Sequence, residues 1–182
     1  MNAREVIGVD PGDVHTGVAL FRWADPDTKP LDWYGWECWH AEEEAGFEFA
    51  STLDTMLGNP TGAPFPDVLV VERFQLYAHK AAEQIGSEFE TVQLIGAIRY
   101  LVEANNDLAR FDPAEELGTL ARRPVDLVMQ QAAVKNGTKA FLRKHKVEST
   151  AKLLKVGGHA FDAELHGWHF LINHYTRNGG QP

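Results

Sequence analysis

Two short apolar segments, each ending in an acidic residue, constrain the fold of this chain more than any other feature. Residues 5–10 (Glu-Val-Ile-Gly-Val-Asp) predict a strand that the following Pro11-Gly12 terminates. Residues 67–72 (Asp-Val-Leu-Val-Val-Glu) form a continuous run rich in β-branched residues, without polar alternation. Such a run is typical of a strand that is covered on both faces. We therefore expect a central sheet with helices packed on either side.

The remaining segments extend this pattern into an α/β architecture. Hydrophobic spacing predicts three strands in succession and then helices that alternate with two further strands. The predicted strands cover residues 5–10, 16–23, 31–39, 67–72 and 125–130. The predicted helices cover residues 43–57, 82–105, 138–146, 150–156 and 159–175. This order predicts a mixed five-stranded sheet, with three antiparallel strands followed by parallel strands, flanked by helices.

Length and composition favour a single domain over residues 1–182, with 44% hydrophobic and 24% charged residues. Residues 106–123 are polar and are expected to form an insertion, and residues 177–182 are expected to form a disordered tail. No apolar run reaches the roughly 20 residues of a membrane span, and no signal peptide is recognisable. Because the only cysteine is Cys38, a cytoplasmic location without membrane contact is expected.

Charge is unevenly distributed along the chain. The formal net charge is −9, which is unusual for a DNA-binding protein, but seven cations lie between positions 135 and 155 against one carboxylate, Glu148. This distribution predicts a basic face and an acidic remainder. A solvated lysine-rich helix explains the same charges, and both interpretations stay open. The cations that we assign to a nucleic-acid face are Lys135, Lys139, Arg143, Lys144 and Lys146.

Asp10 and Glu72 each stand at the end of a buried strand. If the two strands are neighbours, the carboxylates lie side by side and repel each other unless a cation lies between them. Hard oxygen ligands of this kind suit Mg²⁺ or Mn²⁺. Gly12 and Gly17, which follow Asp10, are expected to let a bulky anion approach the backbone closely. The alternative is that each carboxylate only ends its strand and meets solvent, but two matching runs with the same ending favour a site.

His159 and Asp162 open the last predicted helix, directly after Gly157-Gly158. Their i, i+3 spacing places both side chains on one face of the helix. The apolar residues that follow predict that this helix packs on the sheet, which would aim its first turn at the strand ends. His166 shares this face or its flank, and we consider it either a group beside the site or a partly buried amphipathic residue.

Three motifs in order carry a resemblance to a known family. Residues 7–12 (Ile-Gly-Val-Asp-Pro-Gly), followed by Thr16-Gly17, look like the first motif, and residues 70–72 (Val-Val-Glu) look like the second. Residues 159–163 (His-Ala-Phe-Asp-Ala) look like the third, and the stretch 131–139 is similar to the basic segment after the family's fifth strand. The chain thus resembles the RuvC-type Holliday junction resolvases, which have the RNase H-like fold. A phage-encoded member would act in the host cytoplasm.

The resemblance implies a two-metal site for Mg²⁺, with Mn²⁺ as a substitute. One ion would generate hydroxide from water, and the other would stabilise the leaving 3′-oxygen. Lys135 and Lys139 would neutralise the scissile phosphate or its neighbours. The implied metal ligands are Asp10, Glu72, His159 and Asp162.

The resemblance also implies how branched DNA is engaged. Phe74 or Tyr77 would insert at the branch point and stack on a base, although packing at the start of a helix is an equal alternative. The family acts as a homodimer through its long second helix. The apolar stripe over residues 85–102 permits such an interface, but an internal core face explains it nearly as well.

The predicted function is a structure-specific endonuclease that cleaves branched DNA, Holliday junctions in particular, by two-metal-ion phosphodiester hydrolysis. An alternative is an RNase H-like nuclease with broader specificity for forks, flaps or structured RNA. A second alternative is a non-catalytic scaffold that binds nucleic acid. The complete set of four potential metal ligands argues against it.

Overall fold

The computed structural model describes residues 4–25, 32–58, 65–74, 88–111 and 123–179. These residues form one five-stranded sheet with helices on both faces. The strands are β1 (Glu5–Asp10), β2 (His15–Trp23), β3 (Trp36–Ala45), β4 (Val68–Arg73) and β5 (Asp126–Gln131). The helices are α1 (Gly46–Gly58), α2 (Glu88–Phe111), α3 (Val134–Lys144), α4 (Thr150–Leu154) and α5 (Gly158–Gly179).

The strand order in the sheet is β3-β2-β1-β4-β5. Strand β2 pairs antiparallel with both β1 and β3, whereas β4 pairs parallel with both β1 and β5. The predicted mixed five-stranded sheet is therefore confirmed. The pairing of β1 with β4 matters most for function, because it brings the two strands that end in Asp10 and Glu72 together at the centre of the sheet.

Strand β4 is buried on both faces, which explains why its sequence lacks polar alternation. Val68 and Val70 belong to the core beneath α5, whereas Leu69 and Val71 belong to the opposite core beneath α1 and α2. All four side chains are fully buried. Because successive side chains of a strand point to opposite faces, a central strand between two helical layers must be apolar on both.

Glycines allow α5 to lie directly on the strands. A Cβ at Gly8 would overlap the backbone carbonyl oxygen of Ala163, and a Cβ at Gly17 would overlap the backbone carbonyl group of His159. The helix backbone thus occupies the space that side chains on β1 and β2 would otherwise fill. This close approach fixes the position of the first two turns of α5 over the ends of the central strands.

Two predicted boundaries around the third strand are wrong. The strand predicted over residues 31–39 begins only at Trp36, and the helix predicted from residue 43 begins at Gly46. The cause is pairing at the edge of the sheet, where β3 continues along β2 as far as the His15–Ala45 pair. Hydrogen bonds to a neighbouring strand outweigh the local helical pattern of this acidic segment.

Other boundaries also shift. Helix α3 begins at Val134 rather than at residue 138, because packing against α5 outweighs the low helix propensity of Asn136-Gly137. Helix α2 continues to Phe111, so residues 106–111 of the predicted insertion are helical, and residues 112–122 lie outside the described part of the chain. The last helix extends to Gly179, three residues into the predicted tail.

In the described ranges, none of the helices has the length and apolar character needed to cross a bilayer.

A pair of glycine substitutions tests the packing of α5 on the sheet. We expect Gly8→Ala to lower the free energy of unfolding by about 1–3 kcal/mol, because the added methyl group meets backbone atoms that cannot rotate away. Gly137→Ala is the matched control, since Gly137 is exposed on α3 and a Cβ there would meet no atom within 4 Å. It should raise stability by about 0.5–1 kcal/mol. Urea unfolding measures both, and equal effects would contradict this packing.

Candidate active site

The ends of β1 and β4 place two carboxylates beside each other. Val9 pairs with Val71 in parallel register, so the next residues, Asp10 and Glu72, are neighbours at the carboxyl ends of these strands. The Asp10 side chain is only 7% exposed and that of Glu72 is 17% exposed. The expectation that the two strands are adjacent is confirmed, and two acids share a largely dehydrated position.

Helix α5 brings two further side chains to the same edge of the sheet. His159 Nδ1 lies 2.6 Å from Asp10 Oδ2. Asp162, one turn later, points to the same side and shares a hydrogen-bond partner with Glu72. The four residues predicted from the sequence therefore converge, although the chain separates the first from the last by about 150 positions.

The Lys135 ammonium group lies among the carboxylates. Its Nζ donates hydrogen bonds to Glu72 Oε2 at 2.8 Å and to Asp162 Oδ2 at 2.6 Å. Asp10 Oδ1 is 3.9 Å from the same nitrogen. Lys135 stands in the first turn of α3, and its side chain is 20% exposed. One positive charge thus offsets the mutual repulsion of three acids.

The two strand-end acids differ in how readily they ionise. Burial raises the pKa of Asp10 to about 6, and neighbouring Glu72 adds to this rise against the lowering effect of the His159 hydrogen bond. Burial also acts to raise the pKa of Glu72, but hydrogen bonds with His166, Asp10 and Lys135 outweigh it and lower this pKa to about 2. Glu72 is therefore the more permanent negative charge of the two.

The carboxylates also shift the pKa values of Lys135 and His159. Burial acts to lower the pKa of Lys135, but its hydrogen bonds to Asp162 and Glu72 reverse that effect and raise this pKa above its ordinary value. The hydrogen bond to Asp10 raises the pKa of His159. The site is thus a network in which each charge stabilises its opposite.

His166 has a larger part in the site than the sequence indicates. It is fully buried, with Nδ1 3.0 Å from Gln130 Oε1 and Nε2 2.7 Å from Glu72 Oε2. The i, i+4 spacing from Asp162 is the signal that identifies it, but nothing in the sequence places Gln130 of β5 behind the ring. Gln130 and His166 together hold the Glu72 carboxylate in position.

Glu43 is a site residue that sequence reasoning misses. Its Oε1 accepts a hydrogen bond of 2.9 Å from the backbone N–H of His159, at the start of α5. A carboxylate at a helix N-terminus is stabilised by the unpaired N–H groups there. In the sequence Glu43 is one of several consecutive glutamates, a pattern that indicates a solvated acidic segment. Only the extension of β3 brings it to α5.

The glycines after Asp10 serve a different purpose from the one that the sequence suggests. The expectation that Gly12 and Gly17 admit a bulky anion close to the backbone is not what their surroundings show. A Cβ at Gly12 would overlap the backbone carbonyl oxygen of His15 and lie 2.8 Å from His159 Cε1, and Gly17 makes room for the backbone of His159. These positions admit the first turn of α5 and its imidazole.

The other predicted residues that the structure describes take no part in the hydrogen bonds that join the carboxylates. Lys139 is exposed, and its Nζ lies 5.7 Å from the ring centroid of Phe161. Phe74 is half-buried just past β4. Tyr77 lies outside the described residues. The other predicted nucleic-acid ligands, which are exposed in or just after α3, are Arg143, Lys144 and Lys146.

The arrangement fits a divalent cation. The carboxylates of Asp10, Glu72 and Asp162 already surround a positive charge, and oxygen donors of this kind are the preferred ligands of Mg²⁺ and Mn²⁺. Within the described chain, one group of potential ligand atoms lies within 4.8 Å of one another, and it comprises Asp10, Glu72 and His166. It shares two members with the predicted ligand set and adds the imidazole behind Glu72.

No protein-family model matches the sequence, and no curated protein matches it either. A structure of Thermus thermophilus RuvC in complex with Holliday junction substrate matches with a TM-score of 0.54 and 14% identity, covering 97% of this chain and 96% of that chain. The chain has the fold of RuvC.

A second structure of Thermus thermophilus RuvC matches with a TM-score of 0.52 and 14% identity, covering 96% of this chain and 97% of that chain. The RuvC fold therefore extends over almost the whole chain, and the predicted RNase H-like fold is confirmed. At this identity the likeness establishes the fold, and the activity must be argued from the site.

Replacement of Lys135 tests whether its ammonium group occupies a cation position. We expect Lys135→Met to bind Mn²⁺ about tenfold more tightly than the unmodified protein, because the ammonium no longer competes for the same oxygens. Isothermal titration calorimetry measures the change. Lys139→Met is the control, since its ammonium lies over Phe161. Equal Mn²⁺ affinities of the two variants would contradict the assignment.

Proposed function

We propose that this protein is a metal-dependent endonuclease that cuts branched DNA, with Holliday junctions as its preferred substrate. The observation that carries the proposal is the convergence of Asp10, Glu72 and Asp162 on one positive charge at the carboxyl ends of the central strands. The RuvC fold supports it, because a matching structure of that fold contains a Holliday junction substrate.

The proposed metal ligands are the carboxylates of Asp10, Glu72 and Asp162 together with His159, and we propose two Mg²⁺ ions, replaceable by Mn²⁺. When bound, the ions supply positive charge that activates a water molecule and stabilises the leaving 3′-oxygen of the phosphodiester. The donor set supports this because its oxygens lie around a cation in the protein itself.

The chain's own residues orient the reaction. Asp10 holds the His159 ring through Nδ1, so Nε2 is the atom that can ligate a cation or accept a proton. His166 and Gln130 fix the Glu72 carboxylate from behind. In this proposal the Lys135 ammonium group turns from the carboxylates to the phosphate when DNA and metal arrive, and it neutralises negative charge there.

DNA outside the cut site is held by the exposed cations of α3 and the turn after it. These residues follow Lys135, which stands in the first turn of α3, so they can contact the DNA backbone on either side of the reacting phosphate. Phe74 and Tyr77 remain the predicted wedge at the branch point. The proposed cations are Lys139, Arg143, Lys144 and Lys146.

A junction assay with two aspartate variants tests the activity. We expect the unmodified protein with Mg²⁺ to nick four-way junctions symmetrically, and Asp162→Asn to cut at least ~100-fold more slowly while still binding the junction. Asp126→Asn is the control, because Asp126 is exposed at the amino end of β5, away from the site. Its cutting rate should match that of the unmodified protein.

The same assay separates the alternatives. Preferential cutting of forks, flaps or RNA hairpins over junctions would favour the nuclease of broader specificity. Tight binding of junctions without cutting at any concentration of Mg²⁺ or Mn²⁺ would favour a non-catalytic scaffold. Unchanged cutting by Asp162→Asn would contradict the assigned site, whatever the substrate.

We also propose that the protein is a homodimer through α2. Leu94, Ile98 and Val102 of this helix are core residues, so part of the apolar stripe packs internally. Val92 and Tyr100 lie about 80° apart around the same helix and remain 49% and 70% exposed. Apolar side chains this exposed along one helix favour a contact with a second copy.

Sedimentation equilibrium tests the dimer. We expect a dimer at micromolar concentration that Tyr100→Lys shifts to monomer, because a charge would be buried in the interface. Tyr34→Lys is the matched control, since Tyr34 is a tyrosine of similar exposure, 67%, on a different part of the surface. An unmodified protein that stays monomeric at roughly 100 micromolar, where even a weak dimer forms, would contradict the proposal.

A further inference from the structure

A pocket lies beside the carboxylates, between α3, α4 and α5. It has a volume of about 420 Å³, within the range of sites that take small molecules. Phe161 forms part of its wall and directly precedes Asp162 in α5. Successive residues of a helix point about 100° apart, so one turn of α5 serves both the carboxylate cluster and this pocket. We call it the Phe161 pocket.

The Phe161 pocket has an apolar floor and a basic rim. The floor is formed by Leu142, Val147, Leu165 and the phenyl ring, and the rim carries three cations against one carboxylate, Glu148. The rim cations are Lys139, Arg143 and Lys152. A flat apolar surface edged by positive charge is the combination that single-stranded nucleic acid requires, because bases stack and phosphates pair with cations.

Two lysines lie over the phenyl ring. Lys152 Nζ is 4.6 Å and Lys139 Nζ is 5.7 Å from the ring centroid of Phe161. Both side chains belong to exposed residues, so their ammonium groups can turn from the ring to the phosphates of an incoming strand. With both ammonium groups turned away, the face of the ring would be open to a base.

A buried glutamate holds the pocket in shape. Glu164 is 1% exposed and accepts hydrogen bonds from Ser149 Oγ at 2.6 Å and from the backbone N–H groups of Thr150 and Ala151, each at 3.0 Å. These bonds fasten the start of α4 to α5. The exposed Lys152, on α4, is thereby positioned beside Phe161.

The rim continues the line of cations that begins in the carboxylate cluster. Lys135, Lys139 and Arg143 follow each other at intervals of four residues on α3, so they lie on one side of the helix and span about 12 Å. The first contacts the carboxylates and the last two line the pocket. A strand whose phosphate reacts at the carboxylates would therefore reach the pocket within a few nucleotides.

We propose that the Phe161 pocket receives one unpaired nucleotide of the bound DNA strand, with its base against the phenyl ring and its flanking phosphates on Lys139, Arg143 and Lys152. This inference rests on the proposed function and adds to it a subsite for unpaired DNA next to the cut. It also assigns Phe161 and Lys152 to DNA recognition.

Binding of two oligonucleotides tests the pocket. The probes are a labelled eight-residue oligothymidylate and an abasic oligonucleotide with the same number of phosphates, measured by fluorescence anisotropy over a range of salt concentrations. We expect the unmodified protein to prefer the oligothymidylate about tenfold, the effect of one stacked base. Phe161→Leu should remove most of this preference and leave abasic binding unchanged.

The lysine variants test the rim. Lys152→Ala should weaken binding of both oligonucleotides several-fold and reduce the slope of log affinity against log salt by about 0.7, the value for one phosphate contact on a single strand. Lys155→Gly is the matched control. It removes a charge from the end of the same helix, and the left-handed backbone at Lys155, with φ 56°, suits glycine. Its salt slope should not change.

Either of two results would overturn the pocket: full preference for bases in Phe161→Leu, or identical salt slopes for Lys152→Ala and Lys155→Gly. If Phe161→Leu does not fold, as circular dichroism would show, the exposed Lys152 still decides the matter. Junction cutting by the unmodified protein separates the two levels. If the unmodified protein cuts junctions but the Phe161 and Lys152 variants bind oligonucleotides as Lys155→Gly does, only the pocket proposal is wrong. If the unmodified protein neither binds nor cuts DNA, the proposed function is wrong as well.

Discussion

The direct contact of α5 with the backbone of β1 and β2 is the constraint on which the rest of the site depends. Because Gly8 and Gly17 carry no side chains, the helix lies close enough for its first turns to reach over the ends of the central strands. His159 and Asp162 then reach the strand-end acids and the ammonium group beside them. If side chains at these two positions displaced the helix outward, His159 and Asp162 would move away from their hydrogen-bond partners. The chemistry is therefore set by backbone proximity before any charge is considered.

Helix α5 also divides its surface among several tasks within two turns. Asp162 and His166 face the strand ends, Phe161 faces the neighbouring pocket, and Glu164 fastens α4. Each direction follows from the rotation of about 100° between successive residues. The proposed metal ligands and the surfaces proposed for DNA are consequently held on one rigid element, which limits relative movement between them.

The sheet could be predicted from local sequence pattern, because a strand buried on both faces has a continuous apolar run. The strand-end acids could be predicted too, because the last residue of such a strand lies at the edge of the sheet. The adjacency of Asp10 and Glu72 follows from that reasoning and is confirmed. Glu43 and Gln130 could not be predicted, since their contacts depend on the path of an edge strand and on the register of β5. The predicted start of α1 is wrong for the same reason: hydrogen bonds supplied by β2 prolong β3 through residues that favour a helix in isolation.

The Lys135 ammonium group gives the acidic cluster a counterion that belongs to the polypeptide. Structural metal sites commonly make folding itself depend on ion supply, because the unpaired ligands cannot be assembled alone. Here the newly made chain already contains the charge that allows its acids to come together. The protein can thus fold without a divalent cation. Under the proposed function, ion supply would then control activity rather than assembly.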